Sequence, residues 1–378
     1  MYEVIEFESS NILKEFINLP WAIWEGLDGK QYWPPPLRNQ IKQILNINKH
    51  PFYQDAELYL FGVRKNNKLI TRAALIIDHN YIRFHKKRHA YFGFFESFDD
   101  EQACAEIFKS IKQKASGLNI SKIIGPFSPS MNYESGILIE GFDRHSLAMT
   151  AHNPPYYDKL LKSVGFSKAR DMYAYTYPPK DVISFPPVVE KISSRLKERG
   201  FKVRNISKKN FEQELFEIIE IGNIASSGHW GFAPVSQSEA KSLAKEVKLF
   251  YDPKLFLVVE KDQQIVSFLL ALPDFNELLL KIKNGKLFPF NWVYFFLYKL
   301  GLIRIKKLRL IALANRPDME SAGLGALIYH EICQQYINSD YEGGDAAWVM
   351  EDNETINQIH QKLGSKITKT YRLYEMDL

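Results

Sequence analysis

The same alternation of apolar and polar stretches runs through the chain twice. Apolar runs of strand length at 58–63 and 69–77 flank the polar turn 65–68, and runs at 255–259 and 265–271 flank 261–264, so each set predicts a β-hairpin. Each hairpin is followed by a helix-period pattern, at 100–115 and at 322–337, and then by a short apolar strand, at 122–124 and 346–349. A second, shorter helix comes next in both copies. It opens on Asn153 or Asn353 and stops at Gly165 or Gly364, since glycine readily takes the positive φ of a helix end. A Tyr-rich strand closes each copy, at 171–177 and 369–374. Between the copies, the proline-rich stretch 178–187 suits neither helix nor sheet. The pattern predicts an α/β protein of two tandem domains, 1–180 and 181–378, each a mixed, mostly antiparallel sheet flanked by helices.

Composition narrows the partners. With 46% hydrophobic and 25% charged residues the chain is globular, and 378 residues suffice for two domains. A net charge of +5 from 49 basic and 44 acidic residues carries no concentrated basic face, so no nucleic-acid partner is expected. Two cysteines, Cys104 and Cys333, build neither a disulfide framework nor a cysteine zinc cluster, which places the protein in a reducing, cytoplasmic setting. The N-terminus has no secretory pattern, and no apolar run reaches the roughly 18 to 20 residues of a membrane span. No tight spacing of His, Cys and acidic residues occurs, so no metal is expected.

The sharpest chemistry lies where the strand 308–314 passes through Asn315 and Arg316 into a helix opened by Gly323 and Gly325. Glycines at a strand-to-helix turn let backbone N–H groups approach an anion, and the helix dipole adds positive potential, as a diphosphate requires. Two glycines that merely let a helix pack closely have the same spelling. With Glu320-Ser321-Ala322-Gly323-Leu324-Gly325 in that place, then Asn353, then His360-Gln361-Lys362-Leu363-Gly364-Ser365, the second half resembles a GNAT-type acyl-CoA N-acyltransferase. That family holds the coenzyme A pyrophosphate on an Arg/Gln-x-x-Gly-x-Gly/Ala loop after its fourth strand. A tyrosine in its Tyr-x-x-x-Gly-Phe segment protonates the departing thiolate. The resemblance implies that Arg316, Ser321, Ala322, Gly323, Leu324, Gly325, Ala326 and Asn353 hold acyl-CoA or acetyl-CoA. Backbone groups of Leu313 and Ala314 then serve the pantetheine arm and the oxyanion. Gly323→Glu is expected to abolish coenzyme A binding with the fold intact. Two positions depart from the family pattern: Glu320 replaces a basic or amide residue, with Arg316 as the substitute cation, and His360 replaces the tyrosine, a transfer that imidazole can also perform.

The first half resembles the same fold without the glycine loop. Its counterpart, 95–102, is acidic, so this half reads as a degenerate GNAT-like domain supporting the substrate groove, as in Fem-type and myristoyl-type tandem transferases. Through 32–37, 92–96, 125–127, 153–157 and 369–374 the whole chain resembles a bacterial group of tandem GNAT proteins related to bacterial ceramide synthases.

The remaining candidates each carry two readings. Glu351, past the fifth strand, is the general base or a solvated end-of-strand acid, and His360 is the general acid or a packed helix-face histidine. Asp274 binds the amine or caps a helix, while His229 and Trp230 line a substrate wall or join a core. The basic turn 85–89 reads as a solvated loop. The stretch 276–307 is an insertion relative to the first copy and holds Phe288, Phe290, Trp292, Phe295 and Phe296 within nine residues, too many for one helix face to bury. Bordered by lysines, it predicts peripheral contact with the inner membrane surface through 286–307, or else a helical lid packed on its own core or on a dimer partner. The expected activity is transfer of an acyl group from acyl-CoA to a small-molecule or lipid-like amine, such as a sphingoid base. A small-acyl acetyltransferase acting on a polyamine, amino acid or antibiotic is one alternative. A non-catalytic CoA-binding or interaction module is another.

Overall fold

The computed structural model describes the chain apart from residues 8, 9, 184 and 186 and the side chains of 10–12, 245–250 and 320–322. The chain forms two compact units. The first is Met1–Met172 with Phe275–Arg304 and Lys369–Leu378, and the second is Tyr173–Asp274 with Ile305–Thr368. A single cut at residue 180 would place both the insertion and the C-terminal strand in the other unit. The strand Lys366–Asp377 pairs antiparallel with Lys122–Gly125, from Asp377↔Lys122 to Tyr374↔Gly125, and Tyr374 is buried in the first unit's core.

Within the first unit the strands run in the order Tyr2–Glu6, Ala56–Lys65, Lys68–Asp78, His89–Ser97, Lys122–Gly125, Lys366–Asp377. The first three pairings are antiparallel and the fourth is parallel. The second unit repeats this scheme with Lys202–Asn205, Phe256–Lys261, Gln264–Pro273, Lys307–Asn315 and Gly343–Met350. Both hairpins turn on two residues of positive φ, Asn66 and Asn67 (53° and 60°) and Asp262 and Gln263 (49° and 65°). Such turns match the right-handed strand twist, and Asn and Asp take the left-handed region at little cost.

Side-chain alternation explains the layers. Leu257 and Val259 enter one core of the second unit with Leu269, Leu308, Leu327 and Ile328, while Phe256 and Val258 enter another with Phe211, Leu215 and Ile218. A period of two gives this strand, paired on both sides, two apolar faces, one covered by helix Leu324–Ile337 and the other by helix Phe211–Ala225. In the first unit, helix Glu101–Gly117 lays Cys104, Ile107, Phe108 and Ile111 on Leu75 and Phe92.

Candidate active site

In the second unit the parallel ladder between Lys307–Asn315 and Gly343–Met350 runs from Lys307↔Gly343 to Leu310↔Ala346. Ile311 is the extra residue of a β-bulge, because Leu270 pairs with Ala312 and Ala271 with Leu310. A bulge bends its strand and interrupts pairing. Past it, among the described residues, the two strands share no further ladder, and the Ala347 carbonyl accepts from the buried Arg309 guanidinium at 2.9 and 3.2 Å. Leu313 and Ala314 lie in this divergent part, held on their other side by Leu269 and Phe268. Such a divergence can take an extended ligand segment in the manner of an added strand.

The same strand leads into the helix start. Gly323 is the N-cap of Leu324–Ile337 at φ 82°, with no side-chain cap. The first N–H groups of a helix have no intrahelical acceptor, so they and the dipole suit an anion. A Cβ on Gly325 would meet nothing within 4 Å, whereas one on Gly323 would meet Ile192 Cγ2 at 2.9 Å in a backbone conformation that side chains resist. The expectation that Gly323→Glu leaves the fold intact is therefore corrected. Leu324 is fully buried and offers only its backbone, and Ala326 is half-buried. The side chains of Ser321 and Ala322, like that of Glu320, lie outside the described residues. Arg316 grips Asp318 with two bonds of 3.0 and 2.9 Å and reaches Gln264 at 3.2 Å. Its charge is matched within the protein by Asp318. In the first unit the equivalent helix start is taken: Asp100 accepts from Ala103 N at 2.9 Å, Tyr2 Oη at 3.0 Å and Lys65 Nζ at 2.8 Å.

His360 is 2% exposed on helix Glu354–Lys362. It stacks on Tyr175 with ring centroids 4.6 Å apart and planes 8° apart, and its Nε2 lies 3.3 Å from the Tyr329 hydroxyl. Tyr175 donates to Asn357 Oδ1 at 2.8 Å, and Asn357 Nδ2 donates to the carbonyls of Met350 and Glu351 at 2.9 and 3.2 Å. The histidine is thus tied to the end of the Gly343–Met350 strand, where half-buried Glu351 follows. Asn353 caps the helix by accepting from Ile356 N at 3.2 Å. Asp274, 0% exposed, follows strand Gln264–Pro273 and donates its backbone N–H to the Lys307 carbonyl at 2.8 Å. His229 is exposed and Trp230 half-buried on the turn after helix Phe211–Ala225.

Burial pushes the His360 pKa down to about 4, so the imidazole is neutral at pH 7. An unfolded histidine titrates near 6.5, so this group's contribution is complete above that pH and is lost as pH falls toward 4, by about 3 kcal/mol. His152, pushed down to about 3 mainly by burial, adds to the loss in the same window. Urea midpoints should therefore fall from pH 7 to pH 4, and fall less in His360→Phe. An equal fall in that variant would contradict the buried, neutral histidine.

A cavity of about 250 Å³ opens in the first unit. It lies at the matching divergence, where the ladder between His89–Ser97 and Lys122–Gly125 ends at Tyr91↔Ile124 and the register on the other side shifts between Arg72 and Ala74. Trp33, Phe95, Glu96, Pro126, Asn153 and Tyr157 are among its lining. Sequence reasoning gave this half a supporting role and no pocket. The signal was nevertheless present, since each of these residues belongs to one of the segments 32–37, 92–96, 125–127 and 153–157. Among the described residues no three His, Cys, Asp or Glu side chains converge as a metal site, and no helix is long and apolar enough to cross a membrane.

No family model matches the chain. It is 27% identical over 376 residues to Protein YghO of Escherichia coli (strain K12), covering 98% of this chain and 94% of that protein. It is likewise 27% identical over 381 residues to a bacterial ceramide synthase of Caulobacter vibrioides (strain NA1000 / CB15N), covering 99% and 97%. Among solved structures it resembles a tandem GNAT protein from the clavulanic acid biosynthesis pathway, at 8% identity and a TM-score of 0.55, covering 100% of this chain and 98% of that one. The repeated strand scheme, the bulged and divergent fourth strand and this likeness together give the chain the fold of tandem GNAT proteins.

Proposed function

We propose that the protein is an N-acyltransferase that moves an acyl group from acyl-CoA to an amine, with a long acyl chain and a lipid-like amine such as a sphingoid base as its preferred pair. The observation that carries this reading is the conjunction, on one strand, of the divergence past Ile311 and the glycine-opened helix start at Gly323. The first suits a thioester arm and the second its diphosphate. The likeness to a bacterial ceramide synthase supports the lipid-like acceptor, because a ceramide is an N-acylated sphingoid base. The exposed aromatic insertion supports peripheral contact with the cytoplasmic face of the inner membrane.

In this reading the neutral amine attacks the thioester carbonyl carbon, and backbone N–H groups near Leu313 and Ala314 stabilise the oxyanion. The C–S bond then breaks. The nitrogen loses one proton, to Glu351 directly or through water, and the thiolate gains one through His360 and the Tyr329 hydroxyl beside it. Because His360 is neutral at pH 7, it passes a proton on and does not store one. His360→Phe should lower kcat by roughly 10²-fold with coenzyme A affinity unchanged. Glu351→Gln should lower kcat with coenzyme A affinity unchanged. Wild-type turnover in His360→Phe would assign the proton to another group. Absence of stabilisation by acetyl-CoA, palmitoyl-CoA and free coenzyme A alike would overturn the transferase reading.

A further inference from the structure

We infer that the cavity of the first unit binds the acceptor as a single-chain amphiphile, its ammonium head at Glu96 and its chain along Trp33 and Leu279. This inference rests on the acyltransferase reading above for the acceptor being an amine, and on the first unit's own geometry for the site.

Charge selects the head group. The lining carries one cation, Arg72, against two carboxylates, Glu96 and Glu134. Arg72 is shared: one of its Nη atoms donates to the Phe16 carbonyl, the guanidinium lies 4.6 Å over the Phe16 ring, and the other Nη forms a loose ion pair with Glu96 Oε1 at 3.8 Å, beyond hydrogen-bond reach. Glu96 Oε2 accepts from Tyr157 at 2.6 Å, which fixes the carboxylate and leaves Oε1 with acceptor capacity. His152, also in the lining, is neutral at pH 7 and lies 3.1 Å by Nδ1 from Ser146 Oγ. Burial pushes the Glu96 carboxyl up while Arg72 holds it down, so with Glu134 the lining keeps one carboxylate in excess of its cation, which favours a cation over a phosphate or carboxylate head.

The walls select the tail. Trp33 is stacked on Trp24 at 5.5 Å and edge-on to Trp21 at 5.5 Å, forming a rigid apolar side. A further contribution comes from the insertion, whose Asn276 and Leu279 join the lining. That segment is pinned to this unit: Asn276 Nδ2 donates to the Ser146 carbonyl at 2.7 Å, Trp21 Nε1 to the Lys283 carbonyl at 3.0 Å, and Arg38 Nε to the Asn284 carbonyl at 2.8 Å. Gly285, at φ 63°, approaches so closely that a Cβ there would stand 2.3 Å from the Trp21 ring. The segment that exposes Phe288 and Phe290 therefore also supplies a wall of the cavity, as extraction of a chain from a bilayer requires.

Calorimetric titration of the full chain with dodecylamine below its micelle concentration, without coenzyme A, tests the site. Dodecylamine should bind, with dodecanol weaker and dodecanoate weakest. Glu96→Gln should weaken the amine by roughly 10-fold or more, as loss of a charge-assisted bond does. Leu279→Trp should fill the cavity and abolish binding, and both variants should keep wild-type coenzyme A affinity. Equal dodecylamine affinity in Leu279→Trp, or dodecanoate binding as tightly as dodecylamine, would overturn the inference. If the wild type binds dodecylamine but acylates no amine, the transferase reading fails and the cavity assignment stands. If Leu279→Trp acylates with an unchanged amine KM, the cavity assignment fails and the transferase reading stands.

Discussion

Gly325→Glu should reduce coenzyme A affinity by about 10³-fold without unfolding the protein. Gly325 lies in the first turn of the uncapped helix, and a side chain there meets nothing within 4 Å. In the proposed site the added carboxylate would stand where the pyrophosphate approaches the helix start. A like unit charge about 4 Å away near a protein surface costs about 4 kcal/mol at an effective dielectric of 20, and each 1.4 kcal/mol is a factor of about ten. Gly323 cannot make the same test, since its positive φ and its neighbour Ile192 would mix strain with charge. Calorimetry against free coenzyme A and a thermal melt, measured on one preparation, separate the two effects. Unchanged affinity with an unchanged melting temperature would remove the cradle from this site. Asp100→Asn at the first unit's helix start should leave coenzyme A affinity within a small, salt-screened change.

The repeat was legible because both copies spell their hairpins in the same local code, with polar turns between strand-length apolar runs. Helix starts were legible where a side chain caps them, as at Asp100 and Asn353. The first strand of each sheet, Tyr2–Glu6 and Lys202–Asn205, went unseen. Both are short and largely exposed at an edge, so neither has the apolar alternation that identifies a half-buried strand. The unit to which the insertion belongs was hidden for a different reason. Its attachment runs through backbone carbonyls of Lys283, Asn284 and Gly285, and no sequence pattern encodes which distant side chains reach them. The Asn echo also proved to be two devices. Asn353 caps its helix, while Asn153 brackets the backbone of Leu138, accepting at 2.7 Å and donating at 3.1 Å. In the candidate site, the glycines announced the helix start, while a bulge in the fourth strand was expected only through the family resemblance, because its place depends on the register against a partner strand, which local spelling does not fix.

Replacing Phe288 and Phe290 together by alanine should weaken binding to anionic vesicles by about 10²-fold. The two rings are 73% and 79% exposed, and Trp292, Val293, Phe296, Leu300 and Leu302 continue the apolar surface at 37% to 70% exposure. Burying one such side chain is worth about 1.5–3 kcal/mol, so losing two partly engaged rings removes roughly 3 kcal/mol, or about two factors of ten. Exposed Lys281, Lys283, Lys286 and Lys299 lie in the same segment, each adding about 1 kcal/mol near an anionic surface. Lys306 is a poorer choice for charge reversal, because it pairs with Glu342 at 3.0 Å. Lys283→Glu with Lys286→Glu should therefore weaken vesicle binding, and rising salt should weaken the wild type in the same direction as it screens those lysines. Co-sedimentation with vesicles of phosphatidylserine and phosphatidylcholine, against phosphatidylcholine alone, measures both contributions. If the wild type stays in the supernatant with either vesicle and turns over acetyl-CoA faster than palmitoyl-CoA, the patch is not a membrane surface and the acceptor is a small soluble amine.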